Sequence, residues 1–141
     1  MVLRLAADGS SVDGNVIMNA QIGIFLNGGN GYRITRNSIS NIDIESGIHM
    51  QGHAPGGTGS LTNVLVERNT IFNLNVATRA CGIHEAPDNN VTGNRILNNI
   101  VSDAYCGVEH GYADPVVGGR YINTLYEVLN VDLPEPPSAE P

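Results

Sequence analysis

The chain contains no lysine and no tryptophan, and only 15 % of its 141 residues are charged. All seven basic residues are arginines and the net charge is −7, which disfavours nucleic-acid backbones and anionic membranes as partners. No apolar run approaches the ~20 residues that span a bilayer, and the apolar start is too short for a signal peptide. What remains is a single domain with 17 glycines and 17 asparagines, a composition typical of short strands joined by tight turns.

A short phrase occurs four times: Asn-x-Ile/Val, followed some residues later by Gly and then Ile or Val. The anchoring asparagines are Asn15, Asn37, Asn69 and Asn94, and the glycines are Gly23, Gly47, Gly82 and Gly107. The glycines lie 24, 35 and 25 residues apart, a period that in β-rich chains indicates a solenoid.

Alignment of the repeats predicts three inward-facing columns, because side chains alternate across a strand. The first contains Val12, Ile34, Val66 and Val91; the second Ile17, Ile39, Ile71 and Ile96; the third, after the glycine, Ile24, Ile48, Ile83 and Val108. Three columns predict three short strands per coil. The four anchoring asparagines are expected to stack at a corner, in the left-handed conformation that Asn tolerates, as a structural ladder.

The segment from Asn63 to Asn73, followed by Gly82-Ile83, resembles the repeat of right-handed parallel β-helix proteins of the pectin-lyase-like superfamily. That superfamily includes pectate lyases, polygalacturonases, mannuronan epimerases and phage tailspikes. The resemblance covers about residues 1 to 111 and implies an all-β, right-handed parallel β-helix of four to five coils. It leaves open whether the chain is an enzyme, because this fold hosts lyases, hydrolases, epimerases and inert stalks. It also favours an extracellular or periplasmic location.

The predicted domain is a β-helix over residues 1–132, with an irregular C-terminal cap from about residue 112 and a Pro/Glu-rich tail over 133–141. Tyr121 to Val131 has apolar residues at helical spacing, so a short capping helix and a final irregular strand are both open. Because Leu3 aligns with Ile24, the first residues are expected to lie inside a coil. This predicts either a homo-oligomer formed through the N-terminal coil or a piece of a longer helix.

The outward positions after each glycine carry the main functional signal. Two residues beyond the glycine, or at the equivalent position of the first strand, lie Arg4, Phe25, His49, His84 and Glu109. In the resembling enzymes this strand's outer face binds polysaccharide. A histidine beside a carboxylate suits acid–base catalysis, so His49, His84 and Glu109 are the candidates for catalysis, and Arg4 and Phe25 for substrate binding. Ordinary solvated side chains are the alternative.

The turns that enter this strand supply further candidates for substrate binding: Asp43, Glu45, Arg79, Asp103 and Tyr105. Acidic groups and an aromatic ring at a groove suit sugar hydroxyls and ring faces. Such a groove favours a neutral polysaccharide, and a polyuronate would call for calcium to bridge the charges. No other cofactor is expected. The non-catalytic alternative is a structural or assembly module.

Three further features concern side chains that can titrate, bind a metal or form a disulfide. Glu85 and His110 fall at inward positions and form either a buried pair or a strand end in water. No metal site is expected, because the straight column of His49, His84 and Glu109 does not converge on one point. Cys81 and Cys106 are one coil apart in register, close enough for a disulfide or for two stacked thiols.

Overall fold

A computed structural model describes residues 3–5, 7–52, 59–86, 91–110, 120–122 and 125–128. Sheet A consists of β1 (Leu3–Leu5), β4 (Ile24–Asn27), β8 (Ser46–Gln51), β12 (Cys81–Glu85) and β16 (Cys106–His110). Sheet B consists of β2 (Ser11–Asp13), β6 (Arg33–Thr35), β10 (Leu65–Glu67), β14 (Arg95–Leu97) and β17 (Arg120–Ile122). Sheet C consists of β3 (Val16–Ala20), β7 (Ser38–Ile42), β11 (Thr70–Leu74), β15 (Ile100–Ala104) and β18 (Leu125–Val128). Sheet D consists of β5 (Gly29–Asn30), β9 (Leu61–Thr62) and β13 (Val91–Thr92).

Each coil passes from sheet B to sheet C and then to sheet A, and the short strands of sheet D follow in three coils. Every strand pair is parallel, so each strand stacks on its equivalent one coil away. The predicted all-β parallel solenoid with three principal strands per coil is confirmed. Among the described residues no helix is long and apolar enough to cross a membrane.

The interior is a continuous stack of aliphatic side chains, as the inward columns predict. Ile24, Ile48 and Ile83 of sheet A are fully buried, and they pack in one cluster with Ile39 and Ile71 of sheet C. Burial of this apolar surface supplies the main driving force for folding. Because the interior has no central point, each coil is stabilised mainly by its neighbours.

A ladder of asparagine side chains joins successive coils where sheet B turns into sheet C. The Oδ1 atom of Asn37 accepts a hydrogen bond from the Asn15 backbone N–H at 3.0 Å. Asn69 accepts from the Asn37 N–H in the same way, and Asn99 from the Asn69 N–H. Asn37, Asn69 and Asn99 are buried, so these bonds satisfy backbone groups that water does not reach.

Two details of the predicted ladder are wrong. Its fourth member is Asn99, whereas Asn94 lies in a different column and accepts from the Val64 N–H at 2.9 Å. The left-handed residue is the one before each ladder Asn, namely Gly14, Arg36, Arg68 and Asn98. The same shift moves Ile96 into the first column, opposite Val66, and Val101 into the second, opposite Ile71, while Val91 belongs to sheet D.

The shift arises from unequal turns between sheets C and A. Asn69 precedes Gly82 by 13 residues, whereas Asn99 precedes Gly107 by 8. The longer turn contains a 3-10 turn over Val76–Thr78, which Asn75 caps by accepting from the Ala77 N–H. Counting by the glycine period therefore misplaces the fourth asparagine by five residues.

The glycine column marks a sharp corner at the start of sheet A. A Cβ atom on Gly82 would lie within 3 Å of the Val101 side chain and of the Gly107 carbonyl oxygen. Val101 is a core residue, so position 82 faces inward, as Ile83 also does. Because two successive residues face inward, Cys81 and His84 both point to the outside of the coil.

The C-terminal repeat continues further than predicted. Instead of a capping helix over Tyr121 to Val131, β17 and β18 extend sheets B and C, and Tyr121 pairs with Ile96. This agrees with the strand alternative. The sequence also predicts that an insertion over Gly52 to Ser60, with four glycines and His53, projects from the coil as a loop. This segment lies mostly outside the described residues, and the tail over 133–141 lies entirely outside them.

Candidate functional site on the outer face of sheet A

The predicted outward column is confirmed as a structural row that crosses five coils. Arg4 pairs with Phe25, Phe25 with His49, His49 with His84 and His84 with Glu109. We call these five residues the outer row. Parallel strands lie ~4.8 Å apart, so the row is about 20 Å long.

Stacked rings occupy the centre of the outer row. The ring centroids of Phe25 and His49 are 5.3 Å apart with the ring planes inclined at 64°, and those of His49 and His84 are 4.6 Å apart. The Arg4 guanidinium carbon lies 5.8 Å from the Phe25 centroid, at cation–π distance. The row thus has a cationic end, an aromatic centre and a carboxylate end at Glu109.

His84 is neutral at pH 7. Its pKa is lowered from 6.5 to about 4, mainly by burial and also by the adjacent His49, against the opposing effects of Glu45 and Glu85. Its Nδ1 atom lies 3.6 Å from Glu109 Oε2. Because the imidazole carries no charge and the distance exceeds that of a good hydrogen bond, this contact is not an ion pair.

His49 is the most enclosed member of the outer row, with 6 % of its surface exposed. Its Nδ1 atom is buried without a hydrogen bond, and the nearest carboxylate, Glu45 Oε2, lies 3.5 Å away. His49 therefore presents little surface to a ligand, whereas the half-buried His84 and the exposed Glu109 present polar atoms.

Among the five turn residues proposed for substrate binding, Glu45 reaches the outer row. Glu45 contacts His49, and the Arg79 guanidinium carbon lies 5.4 Å from the Tyr105 ring centroid. The Asp43 carboxylate instead accepts from Asn75 at 3.0 Å. Asp103 belongs to β15 of sheet C, where it adopts the left-handed conformation with a φ of 50°.

Comparison with models of protein families identifies the family of this chain. A model described as a right-handed β-helix region matches residues 2–118. The chain belongs to the right-handed β-helix family. Comparison with curated proteins and with solved structures finds no match. The family defines the architecture and not an activity.

The β-helix carries a disulfide at the entry to the outer row. Cys81 and Cys106 are bonded, with a Cα–Cα distance of 4.6 Å, as their predicted register allows. The Cys81 sulfur lies 3.8 Å from Glu109 Oε2. A disulfide sulfur has no proton to donate, so this is a contact and not a hydrogen bond.

Glu85 is a buried acid that sequence reasoning left between two alternatives. It is 1 % exposed, so the strand end in water is wrong for this residue. Its Oε1 atom accepts from Asn94 Nδ2 at 2.8 Å, and in register it faces His110. The displaced Asn94, which was expected in the ladder, is the partner that the sequence did not indicate.

The outer face of sheet C was not singled out by the sequence. Its two rows are Val16, Ser38, Thr70 and Ile100, and Met18, Ser40, Phe72 and Ser102. Val16, Met18, Phe72 and Ile100 are 70 %, 51 %, 36 % and 48 % exposed. We call these eight residues the neutral face, because none of them ionises. The restriction of these positions to large apolar and hydroxyl residues across coils was the available signal.

Proposed function

We propose that this β-helix binds a neutral glycan along the outer row of sheet A. The observation that carries the proposal is the uninterrupted register of Arg4, Phe25, His49, His84 and Glu109 with rings at its centre. Aromatic rings pack against the apolar faces of sugar rings, while polar groups beside them bond the hydroxyls.

The charges beside the outer row favour a neutral ligand. Glu45 and Glu109 are exposed carboxylates next to the two histidines. A polyuronate would place its own carboxylates against them, and only bound calcium would offset the repulsion. Arg79 and Tyr105 contact each other in the turns that enter sheet A, and we propose them as further polar and aromatic contacts for the glycan.

The test is affinity electrophoresis and calorimetry on a panel of neutral glycans and polyuronates, the latter with and without calcium. We expect Phe25→Ala to weaken glycan binding at least tenfold, about 1.4 kcal/mol. Phe72→Ala, which removes an exposed ring from sheet C, is the matched control and should bind like the native chain. Equal effects of the two substitutions, or no binding to any glycan, would contradict the proposal.

Turnover is assayed on the same panel. His84 and Glu109 are the candidates for proton transfer, because they present polar atoms at the row surface. If the protein cleaves or epimerises a bound glycan, His84→Ala should abolish turnover while Phe25→Ala mainly weakens binding. Binding without turnover on all glycans would support a binding module and count against an enzyme.

A second candidate function is self-association through the neutral face. The chain carries a net charge of −7, so two copies repel each other except where a face lacks charge. Val16 and Met18 begin this face on β3. Because its two rows repeat at the strand spacing, a second copy can pack sheet against sheet. This lateral contact differs from the association through the N-terminal coil that the sequence predicts.

Light scattering across a concentration series tests this assembly. Phe72→Glu should shift the equilibrium to monomer, because it buries a charge in the interface. Leu65→Glu makes the same kind of change on the outer side of sheet B and is the control. A native chain that is monomeric at every concentration would refute the assembly without affecting the glycan proposal.

A further inference from the structure

Cys81, Cys106 and Glu109 form a convergent group that the glycan proposal does not use. One ligand atom from each, the two sulfurs and a carboxylate oxygen, lie within 4.8 Å of one another. Among the described parts of the chain it is the one group of histidine, cysteine, aspartate and glutamate side chains with this geometry.

The corner at the glycine column brings these residues together. Because Gly82 and Ile83 both face inward, Cys81 emerges on the same outer side as His84, and β16 repeats the arrangement with Cys106 and Glu109. Cys81 is buried, Cys106 is half-buried and Glu109 is exposed, so the group opens toward solvent on the side of Glu109.

We propose that reduction of the Cys81–Cys106 disulfide creates a zinc site formed by both thiolates and the Glu109 carboxylate. A dithiol reductant supplies two electrons and two protons: the S–S bond breaks, two thiols form, and the reductant closes to its own disulfide. Binding of Zn²⁺ then releases the two thiol protons to solvent.

The backbone geometry suits such a site. Zinc bonds thiolate at ~2.3 Å and carboxylate at ~2.0 Å, so tetrahedral ligands place two sulfurs about 3.8 Å apart and sulfur and oxygen about 3.5 Å apart. With Cα atoms 4.6 Å apart, rotation of the two side chains reaches that sulfur separation without backbone movement. The Cys81 sulfur already lies 3.8 Å from Glu109 Oε2.

The charge balance and ligand types favour zinc. Two thiolates and a carboxylate placed side by side repel one another, and a divalent cation removes that repulsion. Thiolate donors select zinc over magnesium or calcium. Three protein ligands leave a fourth tetrahedral position open to water on the solvent side. The site exists only in the reduced protein, so metal binding would report the redox state of the disulfide.

The experiment uses the full chain with Co²⁺ as the spectroscopic probe and Zn²⁺ as the competitor. Protein is reduced with dithiothreitol, desalted under nitrogen and shown to contain two thiols. We expect one Co²⁺ per chain, with sulfur-to-cobalt charge-transfer absorption and the intense visible bands of tetrahedral cobalt, both lost on addition of Zn²⁺. The oxidised protein should show neither.

Glu109→Gln separates the three-ligand site from binding by the cysteines alone. It should weaken Co²⁺ binding at least about tenfold, while Glu67→Gln on sheet B should leave it unchanged. In denaturant, where the site cannot form, the difference between the two variants should vanish. Equal affinity of Glu109→Gln and the native chain when folded, weak octahedral bands only, or binding by the oxidised protein would overturn the proposal.

Discussion

The outer faces of sheets A and C lie on the same coils and differ in almost every chemical respect. The outer row of sheet A places a cation, rings and a carboxylate in register, with His49 nearly enclosed by its neighbours. The neutral face of sheet C carries only apolar and hydroxyl side chains and leaves Val16 and Met18 more than half exposed. Their inner faces are alike and mainly aliphatic, with the buried Glu85 of sheet A as an exception.

This contrast shows that the repeat restricts the residue types at inward positions of the coil and leaves those at outward positions free to vary. Ile48 and Ile71 are buried equally in the two sheets, because every coil must fill the same cross-section. The outward positions have no such requirement. A difference that persists over several coils on one face therefore indicates a role for that face.

The largest expected effect comes from Gly47, at the corner that starts sheet A. A Cβ atom there would lie within 3 Å of Ile71 Cγ2 and of the Gly82 carbonyl oxygen. We expect Gly47→Val to lower the free energy of unfolding by about 3 kcal/mol or more. Chemical denaturation measures this loss.

Gly9→Ala is the control for that substitution. Gly9 has a φ of +73°, and among the described residues, its two chain neighbours apart, no atom lies within 4 Å of the position that a Cβ would take there. Only backbone strain of about 1–2 kcal/mol therefore applies. A loss in Gly47→Val no larger than in Gly9→Ala would mean that the corner relaxes easily. The orientation of the outer row would then not depend on it.

The next effect is a pH dependence that sheet A has and the neutral face lacks. His84 has a pKa of about 4 in the folded protein and 6.5 as its ordinary value. Between these values the unfolded chain binds a proton that the folded chain does not. The contribution of His84 to the free energy of unfolding is therefore fully present above about pH 6.5. The free energy of unfolding falls by up to about 3 kcal/mol as the pH drops to 4.

Urea unfolding between pH 7.5 and 4.5 measures this slope, and His84→Gln should flatten it. Asp13, whose pKa is lowered to about 2 mainly by its hydrogen bond with Arg36, loses its contribution only below pH 4. The two effects therefore occupy separate pH ranges. An unchanged slope in His84→Gln would show that other groups carry the pH dependence.

The sequence predicted the outer row because the row lies within one strand of each coil. Counting two residues from Gly47 or Gly82 crosses no turn, so His49 and His84 were placed correctly. Counting from Asn69 to the next coil crosses the long turn at Val76–Thr78, and there the prediction failed by five residues. A periodic pattern is reliable within an element and not across an insertion.

Burial along the outer row could not be predicted from the pattern. His49 is enclosed because Phe25 and His84 stack on either side of it, and this depends on rotamers that a period does not encode. The convergence of Cys81 and Glu109 was missed for a related reason. Strict alternation places Cys81 and His84, which are three residues apart, on opposite faces of the strand. The corner at Gly82 brings both to the outer face, and Glu109 pairs with His84.

The smallest expected effect concerns the corner on the side of sheet C. Asn41 has a φ of 54°, donates to Asn19 Oδ1 at 2.9 Å and accepts from Asn73, all on the surface. We expect Asn41→Ala to cost about 1 kcal/mol, because Ala tolerates the left-handed conformation poorly. Asn41→Gly should cost less than about 0.5 kcal/mol, because glycine adopts it freely and water replaces the exposed hydrogen bonds. If both variants lost the same stability in chemical denaturation, the side-chain ladder and not the backbone would hold this corner, and the exterior of sheet C would be more constrained than that of sheet A.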